Sequence, residues 1–417
     1  MKKTSNNPLS VLNFKLLWIG ESISVLGDQF ALIALPWLVL QLTGSSVALG
    51  TVLALMAIPR ALFMLIGGAI VDKYSARDIM ILSNILRFIL VGILTALIFL
   101  NTIQIWMLFL FALLFGMSDA FYFPAQNSLV PQTLKKEQLQ MGNTLIQGMA
   151  QISSLLGPAL AGIIIGLLAK NNVEGTKNLT GIGAAFLIDT LSFLATIITS
   201  WLIRIPKNSN HQEENMWKSI KVAGLFVWNN PLFRLIFLIV MVLNFFIVGP
   251  FTVGVPVLVN NKFAEGATAY GIITATFGGG SLVGIILSGV LPKIRSRLFG
   301  PLIMVLIGLQ GITLAFIAYS SSLPLTVFIT SIMGVLSGYT NLLAFTWLQK
   351  RIPEALMGRV ISLIMFASTG LIPVSSMLSG FLLTFSVTIV FLGAGVLTAL
   401  FSFIMVLNPL LAKMGDD

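Results

Sequence analysis

The sequence predicts an all-α membrane protein: twelve transmembrane helices in two six-helix bundles that repeat in parallel, with both termini cytoplasmic. Three observations carry this: composition, the spacing of apolar runs, and the placement of basic residues. The 417 residues are 57% hydrophobic and only 9% charged, with a mean hydropathy of +0.99. A soluble chain carries about 25% charged residues, so this composition belongs to a polytopic membrane protein.

A span needs about 20 apolar residues, and the runs give twelve segments. In the first half they are 14–40, with Glu21 and Asp28; 46–71, with Arg60; 78–100, with Arg87; 104–128, with Asp119; 143–169, with Gly157-Pro158; and 179–203, with Asp189. In the second half they are 233–259, 269–291, 299–319, 324–347, 360–385 and 387–411, none with an ionisable residue in its interior. Residues 205–232 form the longest polar connector. The expected organisation is therefore a bundle over 1–204, a linker over 205–232 and a bundle over 233–417. In the linker Trp217, Ile220, Gly224 and Val227 recur at helical spacing opposite Lys218 and Lys221, the pattern of an in-plane amphipathic helix.

An even number of crossings leaves both termini on one side. Of the 24 Lys and Arg residues, only Lys170, Lys177 and Lys262 fall in outer loops and only Arg60 and Arg87 within spans, if the N-terminus is cytoplasmic. That asymmetry fixes the orientation by the positive-inside rule. It also accounts for the net charge of +10: the basicity reports topology, and no nucleic-acid partner is expected. The absence of Cys excludes disulfides and thiolate metal sites. Met-Lys-Lys and the polar residues to Asn13 lack the apolar core of a cleaved signal peptide, so the first span is expected to be a retained anchor.

The halves repeat. Asn13-Phe14-Lys15 opens span one and Leu232-Phe233-Arg234 opens span seven; Gly50 and Gly68 in span two are matched by Gly271 and Gly289 in span eight, each offset by 221. Six crossings between repeats keep them parallel, and transporters so built bind substrate between the repeats near the midplane.

Gly68-Ala69-Ile70-Val71-Asp72-Lys73-Tyr74-Ser75-Ala76-Arg77, after span two, resembles the G-x-x-x-D-[RK]-x-G-[RK]-[RK] loop of the major facilitator superfamily, with Ser75 and Ala76 departing from it. The second-half copy has Lys293 at the Asp72 position. The resemblance implies that Gly68, Asp72, Lys73 and Arg77 latch a cytoplasmic gate. Gly157-Pro158-Ala159-Leu160-Ala161-Gly162 is similar to the G-P-x-x-G-G element of superfamily antiporters, implying a helix bend at Gly157 and Pro158. Gly27-Asp28 with Pro36-Trp37, Pro124-Ala125, Asp189 with Ser192-Phe193, and Gly358-Arg359-Val360 complete a likeness to the drug:proton antiporter branch that holds macrolide-efflux and siderophore-export proteins. It spans essentially the whole chain.

Four acids inside spans are the chemical signal, because a carboxylate at mid-membrane costs roughly 2.5–3.5 kcal/mol on insertion scales. Glu21 and Asp28 are seven apart, on one helix face. Glu21, Asp28, Arg60 and Asp119 are the proton-coupling candidates, with at least one acid expected to change protonation during transport. The alternative is a permanent ion pair of Arg60 with Asp28 or Asp119. Asp189 reads as a helix–helix hydrogen-bonding residue, and Arg87 as snorkelling to the inner interface. Substrate-cavity candidates are Tyr122, Gln147, Gln151, Asn244, Phe245, Tyr339 and Asn341; packing and interhelical hydrogen bonds compete with that reading for each.

With no G-x-x-x-x-G-K-[ST] loop there is no support for ATP-driven pumping. With one histidine, His211, in the connector and no metal-ligand spacing, neither an enzyme nor a metal site is expected. Gly278-Gly279-Gly280 lies in an apolar span, where close packing or a hinge explains it better than phosphate binding. The expectation is a monomeric, cofactor-free, proton-coupled exporter of hydrophobic or amphipathic compounds in a bacterial cell membrane, its partners the substrate, protons and the bilayer. The alternatives are export of a siderophore, lysolipid or other metabolite, and a non-transporting receptor.

Overall fold

The computed structural model describes residues 7–169, 179–204, 224–291, 298–353, 357–412 and 414; within helices, the side chains of 64–66, 68, 69, 72, 357–359, 362 and 412 lie outside that description. Among the described residues there are twelve helices long and apolar enough to cross a membrane and no strand. They are α1 (Leu12–Thr43), α2 (Ser46–Lys73), α3 (Ala76–Phe99), α4 (Ile105–Thr133), α5 (Leu139–Ala169), α6 (Thr180–Leu202), α7 (Pro231–Lys262), α8 (Ala267–Val290), α9 (Phe299–Ile317), α10 (Leu323–Arg351), α11 (Met357–Gly370 and Ile372–Leu382) and α12 (Val387–Val406). Each overlaps one expected span. Most of the linker, with His211, Trp217, Lys218, Ile220 and Lys221, lies outside the described residues.

Local chemistry sets the ends. Gly44 adopts φ 63° and donates to the Leu40 carbonyl at 2.8 Å, closing α1 with a left-handed residue that glycine supplies without strain. Ser75 caps α3 through the Asp78 amide at 3.3 Å. Asn230 caps α7 through the amides of Leu232 and Phe233, with Pro231 in the first turn.

Two helices depart from regular geometry at prolines. In α7 residues Asn244–Val248 form a π-helix, and the Gly249 amide bonds back to Asn244. Pro250 has no N–H to offer the carbonyl four residues earlier, so the ladder widens by one residue there. In α11 the helix breaks at Leu371, two residues before Pro373, for the same reason.

The chain falls into two compact units: Met1–Gly44, Leu55–Gln212 and Glu265–Gly271; and Ser45–Ala54, Glu213–Ala264 and Ile272–Asp417. In lipid there is no hydrophobic gain from pairing helices, so close packing through small residues holds them. In the first unit a Cβ at Gly271 of α8 would lie 2.8 Å from the Gly162 Cα of α5, a closer approach than any side chain tolerates. In the second, a Cβ at Gly50 of α2 would lie 3.1 Å from the Gly380 Cα of α11. Two glycines 221 positions apart thus make the same kind of crossing. The tightest seam joins α8 and α10 in the second unit: Gly280 and Gly284 stand against the carbonyls of Ser331 and Val335, while Gly334 and Gly338 stand against those of Phe277 and Ser281. Close packing, rather than a hinge, is the use of Gly280.

The opening phenylalanine of each repeat anchors a core. Phe14 is buried with Leu17, Met80 and Ile203 in the first unit, and Phe233 with Met304, Trp347 and Leu411 in the second. Asn13 ties this end of α1 to the backbone of Arg204 by two hydrogen bonds, of 2.8 and 3.2 Å.

Candidate functional site

The first unit gathers charge at the middle of its helices. Arg87 of α3, about 16 Å along its helix at 1.5 Å per residue, is 1% exposed and makes an ion pair with Asp119 of α4, itself 5% exposed. Aromatic rings surround the guanidinium. Its carbon lies 3.7 Å from the Tyr122 ring centroid, 5.5 Å from Phe115 and 5.6 Å from Phe193 of α6. Such desolvated cation–π contacts are worth about 2 kcal/mol. A planar, weakly hydrated guanidinium suits this cage where an ammonium would not.

Tyr122 has a second task. Its hydroxyl donates to both carboxylate oxygens of Glu21, at 2.8 and 2.7 Å, and Gln126 of α4 donates to the same group. One ring therefore stacks on the Arg87 cation and holds the Glu21 carboxyl at its tip. Glu21 is 2% exposed and fully engaged. Removing the hydroxyl by Tyr122→Phe leaves a buried carboxylate short of a donor, a loss of about 1.5–3 kcal/mol for a charged hydrogen bond. Thermal unfolding of the purified variant is expected to shift down by several degrees; an unchanged midpoint would show that Glu21 does not depend on Tyr122.

Asp28, seven residues beyond Glu21, is half-buried and within electrostatic reach of Arg87, Asp119 and Arg60. It is the most accessible of the four acids. Arg60 of α2 is half-buried, its guanidinium 4.3 Å over the Phe123 ring and its Nε without a hydrogen-bond partner. No ion pair joins Arg60 to Asp28 or Asp119 in the described residues; Arg87 takes that place. Nor does Arg87 snorkel. A side chain rooted eleven residues inside the helix cannot reach either interface; Asp119 and the aromatic cage hold it there, with Nε and Nη1 left without a hydrogen-bond partner.

Asp189 of α6 also differs from its expected role. It is 0% exposed, yet neither carboxylate oxygen takes a hydrogen bond. The polar contacts between α6 and its neighbours run instead through Thr196, which donates to the Gly20 carbonyl at 3.0 Å, and Thr190, 3.4 Å from Thr95.

Of the gate motif, Lys73 is exposed, and Arg77 donates to the Ser200 and Trp201 carbonyls at 3.0 and 2.6 Å. A cation thus caps the C-terminal end of α6, a favourable position in the helix field. The side chains at Gly68 and Asp72 lie outside the described residues. α5 runs unbroken through Gly157 and Pro158; a Cβ at Gly157 would stand 2.7 Å from the Gln29 Cγ, so this glycine seats Gln29 of α1.

Gln147 is exposed, and Gln151 donates to Ser154 on its own helix at 3.2 Å. In the second unit Asn244 bonds the Val240 carbonyl at 2.8 Å within α7, Phe245 stacks edge-on to Phe246, Tyr339 is half-buried and Asn341 exposed. An apolar crevice of about 160 Å³ between α9 and α12, lined by Phe316, Tyr319 and Leu392 among others, offers no polar contact. Among the described residues no group of His, Cys, Asp and Glu is placed to hold a metal ion.

Comparison with known proteins agrees with the fold. The chain is 25% identical over 359 residues to macrolide efflux protein A of Streptococcus pyogenes, covering 84% of each chain. It is 24% identical over 370 residues to the staphyloferrin A transporter of Staphylococcus aureus, covering 87% of this chain and 88% of that one. Among solved structures, an inward-facing bacterial homologue of the iron transporter ferroportin superposes with a TM-score of 0.72 at 18% identity, over 95% of this chain and 99% of the other. Residues 17–375 match the model of the Major Facilitator Superfamily. This chain, a multi-pass membrane transporter and not an enzyme, belongs to that superfamily.

Proposed function

We propose that this transporter is a proton-coupled exporter of hydrophobic or amphipathic organic compounds, oriented with both termini in the cytoplasm and working by alternating access. One observation carries the reading: four acids and two arginines meet in the middle of the first unit, with Arg87 and Asp119 paired, Glu21 held by Tyr122 and Gln126, and Asp28 half-exposed. Two carboxylates beyond the number of arginines leave a negative excess in a medium that penalises it. A proton or a cationic passenger relieves that excess, and competition between them is the physical basis of antiport. The second unit contributes no ionisable residue at mid-span; its half-buried phenylalanines, such as Phe245, Phe251 and Phe277, suit a bulky apolar molecule better than a sugar. The similarity to a macrolide efflux protein supports this substrate class. The similarity to a staphyloferrin A transporter supports a second, export of a siderophore by the same machinery.

The test is accumulation of rhodamine 6G and of a macrolide in expressing cells, with and without a protonophore. Expression is expected to lower accumulation severalfold, and the protonophore to abolish the difference. Asp28→Asn and Asp119→Asn are each expected to reduce efflux at least tenfold. Full protonophore-sensitive efflux in both variants would remove these two acids from the mechanism. Unchanged accumulation with every dye and antibiotic, alongside loss of a secreted siderophore on deletion, would favour the second substrate class.

A further inference from the structure

The four acids within the spans are not equivalent. Glu21 takes hydrogen bonds from Tyr122 and Gln126, Asp119 has the Arg87 guanidinium, and Asp28 is half-exposed. Asp189 is fully buried without an ion pair, and neither of its carboxylate oxygens has a hydrogen-bond partner: the Ser192 hydroxyl beside it donates instead to the Asp189 backbone carbonyl at 2.7 Å. An ionised carboxylate in that position would pay the cost of leaving water with no hydrogen bond in return, whereas a neutral one forgoes only a hydrogen bond. The charged groups facing it are Asp28 of α1, Arg87 of α3 and Asp119 of α4; α5 holds no Asp, Glu, Lys or Arg, and α6 none besides Asp189. Gly27 places it there: a Cβ at Gly27 would stand 3.0 Å from the Asp189 Oδ1, so the missing side chain brings this carboxyl against α1, beside half-exposed Asp28. Nε and Nη1 of Arg87, the cation within electrostatic reach of Asp189, are buried without a hydrogen-bond partner.

We propose that Asp189 is a proton-carrying residue of the transport cycle, protonated in this conformation, and that on losing its proton it competes with Asp119 for Arg87. The step balances. The O–H bond of the Asp189 carboxyl breaks, the proton passes to water reaching Asp28, and the electron pair stays on the carboxylate. That carboxylate then accepts from the idle Nε and Nη1 of Arg87, loosening the tie between α3 and α4 and making one between α3 and α6. Proton release thereby becomes a change of helix partner. The role in transport rests on the proton-coupled reading above; the protonation of Asp189 is measured independently of it.

The experiment is infrared difference spectroscopy of the purified full-length protein in lipid nanodiscs across a pH titration, reading the C=O stretch of protonated carboxyl groups. At neutral pH the wild type is expected to show such a band, Asp189→Asn to lose the Asp189 component, read as the wild-type-minus-variant difference, and Asp189→Glu to keep it at a shifted frequency. The last variant shows that a folded protein with a carboxyl at this position behaves as required. In Asp119→Asn the freed Arg87 turns to Asp189, so the band is expected to titrate away at a pH at least one unit lower than in the wild type. A band absent from the wild type, or persisting at undiminished intensity in Asp189→Asn, overturns the assignment; identical titration in Asp119→Asn and wild type overturns the exchange of partners. Failure of proton coupling itself reads out elsewhere, as protonophore-insensitive rhodamine efflux by the wild type, and leaves these spectra unaffected.

Discussion

Arg87→Ala is expected to abolish efflux and to destabilise the protein by about 3–5 kcal/mol, the cost of stranding one member of a buried ion pair. Asp119 would remain 5% exposed with no counter-charge, and the rings of Phe115, Tyr122 and Phe193 would face an empty cage. Thermal unfolding of the purified variant measures the effect. Coupling distinguishes an ion pair from simple loss of volume: Arg87→Met with Asp119→Leu removes both charges at roughly conserved bulk. The double variant is expected to be more stable than either single one, because each single change leaves a bare charge. Singles and double that simply add would mean the pair is not a unit. Efflux is expected to stay lost in the double variant, since stability and coupling ask different things of the same two residues.

The second large effect lies far from charge. Gly284→Leu and Gly338→Leu should each cost about 3 kcal/mol or more, at the upper end of overpacking penalties. A side chain at Gly284 meets the Val335 carbonyl and one at Gly338 meets the Ser281 carbonyl. Backbone cannot rotate out of the way as a side chain can, so α8 and α10 must separate. Gly289→Leu, on the same helix with nothing within 4 Å of its Cβ position, is the control and should be neutral. The readout is the yield of monodisperse protein and its unfolding midpoint in detergent. Equal behaviour of the three variants would show that the α8–α10 seam tolerates bulk.

The helices were legible in the sequence because length and hydropathy alone decide what crosses a bilayer. Their internal repeat was legible too: Gly50 and Gly271, paired by an offset of 221, do face partner glycines. What the sequence hid depends on which face of a helix a residue occupies once six helices surround it. Arg87 was readable as mid-span from its distance to the helix start. Its partner was not: the sequence reads as Arg60 with Asp28 or Asp119 and Arg87 snorkelling, whereas packing pairs Arg87 with Asp119. Tyr122 announced itself as polar within a span, yet linking Glu21 to Arg87 needed the register of α4 against α1 and α3. Asp189 carried the weakest signal, since a sequence cannot show that an acid lacks a donor. The π-helix of α7 and the break in α11 had visible causes in Pro250 and Pro373, but proline inside a span is equally compatible with the unbroken course of α5 through Pro158. Residue type limits what can happen at such points; packing selects the outcome.

Proton flux in a reconstituted system decides the matter most directly. With purified protein in liposomes enclosing a pH-sensitive fluorophore, and an acidic interior imposed, rhodamine 6G added outside is expected to accelerate collapse of the gradient. Asp119→Asn, in otherwise identical liposomes, should collapse it no faster than empty lipid. Rhodamine moving at the wild-type rate while the internal pH holds steady would contradict the claim that the Glu21, Asp28, Asp119 and Arg87 cluster exchanges protons for cargo.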